Sequence, residues 1–104
     1  MEPNWTAAFP LASLPIGGAR VFKAADKQLA VFRRDEATVY AVDNRCPHEG
    51  YPLAQGTIKD TVLTCAWHNF KFDLRDGRCL FGDEAVRWYP TRVVAGALEI
   101  KPLG

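Results

Sequence analysis

Two short stretches, each with one cysteine and one histidine, constrain this chain more than any other feature. "CPHEGYPLAQG" begins at Cys46 and "CAWHNFKFD" at Cys65. Cys46 and His48 stand two positions apart, Cys65 and His68 three apart, and sixteen residues separate His48 from Cys65. The chain has only 2 histidines, and both fall in these pairs. Pro47 stiffens the first stretch, while Gly50 and Pro52 let it turn back. Both pairs follow strand-like runs, "AVDNRC" and "VLTC", so a hairpin can bring two thiols and two imidazoles face to face.

The rest of the sequence predicts closely spaced strands. "ARVFK" (19–23), "QLAVFRR" (28–34) and "TVYAV" (38–42) are rich in Val and aromatics and separated by polar stretches, which reads as a three-stranded meander. After the first Cys/His stretch come "DTVLTC" and "FKFDL", in which Phe70, Phe72 and Leu74 alternate with Lys71 and Asp73 at period two. Asp76-Gly77 is expected to supply the positive φ angles of a tight hairpin turn. "VRWYPTRVV", a turn at Ala95-Gly96 and "ALEIKP" give a last pair, and Trp5 and Phe9 are expected to pack an N-terminal strand on the body. "RRDE" (33–36) reads as a hairpin turn with solvated charges. No window carries helical periodicity. An all-β, antiparallel sandwich or partly open barrel is the expected fold class.

At 104 residues the chain is expected to be one domain spanning 1–104. Lys and Arg number 13 against 12 Asp and Glu, a formal charge of +1 with no basic run, which argues against nucleic acid as a partner. "MEPNWTAAFPLASLPIGG" lacks a basic n-region and a sustained apolar h-region, and no stretch has the length of a membrane span. A cytoplasmic monomer is expected. Three cysteines suit a reducing compartment in which thiolates bind metal.

The four residues admit three readings. Cys46 and Cys65 could be small buried hydrophobes, with His48 and His68 as hydrogen-bonded loop residues. A Cys2His2 set could hold a structural zinc in a regulatory module, although zinc motifs usually pair like with like. A binuclear iron–sulfur centre with two cysteines on one iron and two histidines on the other suits mixed pairs, because each loop then reaches both irons.

"CPH" followed after sixteen residues by "CAWH" resembles the Rieske pattern Cys-x-His, spacer, Cys-x2-His. "VYAVDNRCPHEGYPLAQG" is similar to the family's first cluster loop with its closing glycine, and "VLTCAWHNFKFDLRDGRC" to its second loop and trailing hairpin. The resemblance implies a sandwich with an inserted cluster-binding subdomain, its loops at about 43–82, and one [2Fe-2S] cluster. It also implies that Cys46 and Cys65 ligate the inner iron, and His48 and His68 the outer, more exposed one. High-potential members carry two further cysteines, at positions occupied here by Tyr51 and Trp67. Cys79 lies outside both loops and reads as a strand residue. "RWYP" (87–90) falls where the family places a third, proline-containing loop. Tyr51, Trp67, Asn69 and Phe70 are expected to form an apolar cover over the ligands.

A catalytic oxygenase subunit would need a mononuclear iron site, for which no His or carboxylate set remains. The resemblance therefore implies an electron carrier, not an enzyme, passing one electron from a flavin-dependent reductase to a terminal oxygenase. The small subunit of assimilatory nitrite reductase is the alternative. In the high-potential pattern, a Ser and a Tyr hydroxyl two and four residues after the second ligand His donate to the cluster sulfurs. Phe70 and Phe72 stand at those positions. Hydrogen bonds to sulfur stabilise the more negative, reduced state, so their loss lowers the potential. Protein-film voltammetry should give a value near the low end of the Rieske range, roughly −150 mV, and Phe72→Tyr should raise it.

Overall fold

The computed structural model describes residues 5–24, 27–46, 52–66, 70–80 and 84–101. Its strands, in chain order, are β1 (Thr6–Pro10), β2 (Ala19–Ala24), β3 (Lys27–Arg33), β4 (Val39–Asp43), β5 (Thr57–Lys59), β6 (Val62–Thr64), β7 (Lys71–Asp73), β8 (Trp88–Tyr89), β9 (Thr91–Val94) and β10 (Ala97–Ile100). Two three-residue 3₁₀ turns, Leu11–Ser13 and Leu53–Gln55, are the only helical elements among the described residues. The strands make three open antiparallel sheets, ordered β1-β10-β9, β2-β3-β4-β8 and β5-β6-β7. None closes into a barrel. The third sheet is inserted between β4 and β8, as the family resemblance implies.

The alternation of side chains along β3 and β4 explains how three sheets share one body. Leu29 and Val31 of β3, with Val39 and Ala41 of β4, join Phe9, Leu98, Ile100 and Tyr89 in one apolar cluster. Ala30 and Phe32, with Val42, point the other way and join Leu53, Leu63, Phe72 and Leu74 of the inserted part in a second. Successive side chains of a strand face opposite sides, so a strand covered on both faces must be apolar at every position. "LAVF" is that run, and all four of its residues are buried. Each such side chain contributes about 1.5–3 kcal/mol on burial.

Four expectations change in detail. "VRWYPTRVV" is not one strand: β8 pairs with β4 and β9 with β10, and the chain passes from one sheet to the other at Pro90. Proline has no N–H to continue a ladder, so the break falls there. The same pairing puts Trp88 and Tyr89 in a strand instead of a third loop, and the preceding residues pair with the turn after β7, through Val86 N–H to Gly77 O (2.8 Å) and Cys79 N–H to Glu84 O (3.1 Å). The turn after β7 is wider than a two-residue hairpin. Asp73 N–H donates to Arg78 O, and of Asp76 and Gly77 only the glycine has positive φ, at 78°. β5, which had no counterpart in the sequence reading, forms a short hairpin with β6 that turns at Asp60 (φ 55°).

The charges of "RRDE" are not all solvated. Arg33 donates to four backbone carbonyls, those of Leu11 (3.3 Å), Leu14 (2.9 Å), Asp35 (3.1 Å) and Glu36 (3.1 Å), and so ties the first 3₁₀ turn to the β3–β4 turn. Asp35 Oδ1 accepts from the N–H groups of Ala37 (3.0 Å) and Thr38 (2.8 Å), which lowers its pKa, the Ala37 bond being the main cause.

The expected turn at Ala95-Gly96 is present, with φ of 51° and 81°, the primed geometry that two-residue hairpins favour. Alanine resists positive φ because its Cβ crowds the following carbonyl oxygen. Ala95→Gly should relieve that crowding and, after the entropic cost of glycine, stabilise the protein by about 0.5–1 kcal/mol. The check is a higher urea midpoint at unchanged m-value.

Candidate metal centre

The first Cys/His loop leaves the end of β4, which is anchored on both sides. Asp43 N–H donates to Arg87 O (2.9 Å), and the Tyr89 hydroxyl donates to Asp43 Oδ1 (2.5 Å). Tyr89 is buried, and its pKa is raised, first by desolvation and then by the bond to the carboxylate. It therefore stays a protonated donor at any physiological pH. Asn44 N–H donates to Gln28 O (2.9 Å) on the neighbouring strand, and Asn44 Oδ1 accepts the N–H of Ala54 (2.8 Å). Cys46 follows, buried. The returning limb, Leu53–Gln55, seats Leu53 in the same apolar cluster.

The second loop is the turn between β6 and β7. Thr64 pairs with Lys71, whose ammonium also donates to Thr64 Oγ1 (2.8 Å). Beyond that rung Cys65 N–H donates to Phe70 O (2.7 Å), so Cys65 sits at the last hydrogen-bonded step before the turn. Gly56 joins the two loops at their bases. A Cβ there would overlap the carbonyl oxygen of Thr64 and lie 3.2 Å from both Leu53 O and Leu63 Cδ1. Only glycine lets the end of the first loop lie this close to the strand that delivers Cys65.

Cys46 and Cys65 thus come from different loops into one apolar cluster, both essentially inaccessible to solvent (1% and 0%). They form no disulfide. Two thiolates in an apolar wall would be strongly disfavoured without a neighbouring positive charge, and a soft metal supplies that charge. The donors present therefore suit the sulfur side of an iron–sulfur cluster. His48 and His68, like Tyr51, Trp67 and Asn69, lie outside the described residues. Cys79 is buried in the same cluster and, instead of lying in a strand as expected, forms an isolated bridge to Phe72. Phe72 is fully buried in the cluster that holds both cysteines, and the partly buried Phe70 packs against it.

Sequence reasoning missed the braces that hold these loops. Asn44 and the Asp43–Tyr89 pair have no local signature beyond an Asx residue after a strand, since their partners lie 10 and 46 positions away. The turn after β7 is braced by Asp73, which is buried and accepts from Arg75 at its backbone N–H (2.9 Å), Nε (3.0 Å) and Nη2 (2.7 Å). The Arg75 side chain is the main cause that draws the Asp73 carboxyl down to about 2. A lowered carboxyl pKa stabilises the fold above the ordinary carboxylate range, and that stabilisation fades as pH falls toward 2.

The family model of the Rieske [2Fe-2S] domain matches residues 4–90. The chain belongs to this family. Its cofactor is accordingly a single Rieske-type [2Fe-2S] cluster. The Rieske chain is 34% identical over 79 residues to the anthranilate 1,2-dioxygenase ferredoxin subunit of Burkholderia cepacia, covering 74% of this chain and 72% of that one. In structure it is similar to the ferredoxin of carbazole 1,9a-dioxygenase from Nocardioides aromaticivorans IC177, with a TM-score of 0.88, 26% identity, and 96% and 99% of the two chains covered. It is equally similar to the NADH-dependent nitrite reductase small subunit of Mycobacterium tuberculosis (TM-score 0.89, 29% identity, 96% of each chain). Against longer relatives, among them sterol desaturases and oxygenase subunits, this chain spans only 17 to 24% of their length. Relatives and structural neighbours of matching length include ferredoxin components of dioxygenase systems and the nitrite reductase small subunit.

Gly56→Ala tests the contact between the two loops. The added methyl group forces the Thr64 backbone or the Leu53–Gln55 turn to move, at a cost of about 1–3 kcal/mol. The variant should unfold at lower urea concentration than the wild type and release iron sooner on the same titration.

Proposed function

We propose that this Rieske domain is a cytoplasmic, monomeric carrier that accepts one electron from a flavin-dependent reductase and delivers it to a terminal oxygenase of a dioxygenase system. The observation that carries the reading is the match in length and fold to the carbazole 1,9a-dioxygenase ferredoxin, which covers 96% and 99% of the two chains. No helix among the described residues is long and apolar enough to cross a membrane, which is compatible with the cytoplasmic assignment. Residues 1–104 act as one domain in this reading, with cluster-binding loops at 43–82. A nitrite-reductase role is the second reading, favoured by the match to that small subunit.

Cys46 and Cys65 hold one iron through sulfur, and His48 and His68 hold the other through ring nitrogen. When bound, the cluster supplies one-electron chemistry, in which no bond to a substrate is made or broken. The chain's own part is to exclude water from the sulfur side, which Leu53, Leu63, Phe72 and Leu74 do by burying both cysteines. Neutral imidazole in place of two thiolates reduces the negative charge of the site, so the electron is accepted more readily than at an all-cysteine site. The hydrogen bonds at the roots of both loops, among them Asn44 Oδ1 with Ala54 N–H and Cys65 N–H with Phe70 O, would limit how far the cysteines shift when the charge changes.

His68→Ala tests the ligand assignment. The wild type should hold about two irons and two acid-labile sulfides per chain and give a rhombic electron-paramagnetic-resonance signal when reduced. The variant should lose that signal and unfold more easily, because metal binding and folding are coupled. A full cluster with an unchanged signal in the variant would refute histidine ligation. With purified partners, reduction by a nicotinamide-fed flavin reductase and reoxidation by a dioxygenase, with no response to nitrite reductase, separates the two functional readings.

A further inference from the structure

The first ligand loop must leave β4, carry Cys46 and His48, and return at Leu53–Gln55. Its two limbs are joined by the 2.8 Å bond from Ala54 N–H to Asn44 Oδ1. Both ends of the bond are fixed to something rigid. The Asn44 backbone N–H is held by Gln28 O of β3 (2.9 Å), and Ala54 follows Leu53, which is fully buried in the apolar cluster that also contains Cys46 and Cys65. Asn44 is half-buried, so the bond is partly shielded from water and a lost acceptor would leave the Ala54 N–H poorly satisfied.

We infer that Asn44 is a positioning residue for the metal centre: its side-chain oxygen clamps the returning limb to the outgoing one and so fixes the geometry of the first ligand loop. The inference rests on the reading of Cys46 and His48 as ligands. Removing the clamp leaves the ligands in place chemically and lets the loop that carries them splay. The cluster is then held by the same atoms in a wider range of arrangements. A carboxylate at the same position accepts the same bond, so Asp should preserve the geometry while adding negative charge near the site. That charge opposes uptake of an electron and shifts the potential downward.

The test compares wild type, Asn44→Ala, Asn44→Asp and Arg33→Lys, all as the loaded protein. Arg33 braces the opposite part of the fold and serves as a control for loss of stability alone. The reduced-state paramagnetic resonance spectrum, the rate of iron release to a chelator and the melting temperature are measured for each. Asn44→Ala should broaden and shift the spectrum and release iron about fivefold faster, beyond any change in Arg33→Lys at a similar loss of melting temperature. Asn44→Asp should keep the wild-type spectrum and release rate, with a lower potential. Wild-type spectrum and release rate in Asn44→Ala would overturn the inference. Where Asn44→Ala does not fold, a spectrum altered in Asn44→Asp would overturn it equally, since the bond is retained there. A wild-type protein that binds no iron–sulfur cluster would instead overturn the proposed function, and the clamp with it.

Discussion

Burial of β3 and β4 on both faces is the constraint on which the rest of this structure depends. A strand can serve two cores only if every residue is apolar and successive side chains point to opposite sides. Here one face closes the sandwich around Leu98, Ile100 and Phe9, and the other supports the inserted sheet around Leu63, Phe72 and Leu74. Because β4 ends with Val42 facing the second core, the chain that leaves it carries Cys46 into that same core. The position of the first thiol is thus a consequence of strand register. A slip of one residue would exchange the faces of Ala41 and Val42 and place Tyr40 and Val42, instead of Ala41 and Val39, against the sandwich.

That constraint also explains what was legible in the sequence. The period-two runs pointed to the fold class and the meander, because these depend on local alternation and on short hairpins, whereas the inserted subdomain was implied by the family resemblance of the Cys/His stretches. The break at Pro90 was harder to read. "RWYPTRVV" has strand composition throughout, and the fact that its two halves belong to different sheets follows from which partners are already in place. β5 escaped because three residues with one half-buried side chain carry almost no periodic signal. The polar braces were invisible for a related reason. Arg33 looks like any surface arginine in "RRDE", and its role appears only when the carbonyls of Leu11 and Leu14, some twenty positions away, are brought beside it.

The braces share a location. Tyr89 with Asp43, Asn44 with Ala54, Lys71 with Thr64, and the Gly56 contact with Thr64 all lie at the roots of the two ligand loops. Deeper in, the surroundings of Cys46 and Cys65 are apolar. Polar groups at the roots can exchange hydrogen bonds among strands and loops without being carried into the apolar wall, where an unsatisfied donor would cost about 1–3 kcal/mol. The apolar wall in turn keeps water away from the sulfurs.

This division of roles fits the electron carrier proposed above. A catalytic site needs groups that move or titrate next to the reacting atoms, whereas a carrier gains from ligands that hold still while charge changes. Phe70 and Phe72 extend the same logic. If they stand where the family's hydroxyl donors stand, as the resemblance implies, hydrocarbon there removes hydrogen bonds to sulfur and leaves the added negative charge of the reduced state less stabilised. Phe72 is fully buried, paired with Leu63 and bridged to Cys79, in the apolar cluster that also holds Cys46 and Cys65. In the proposed carrier a low potential follows from the absence of those hydroxyls, and the burial of Phe72 places that absence inside the apolar cluster that holds Cys46 and Cys65.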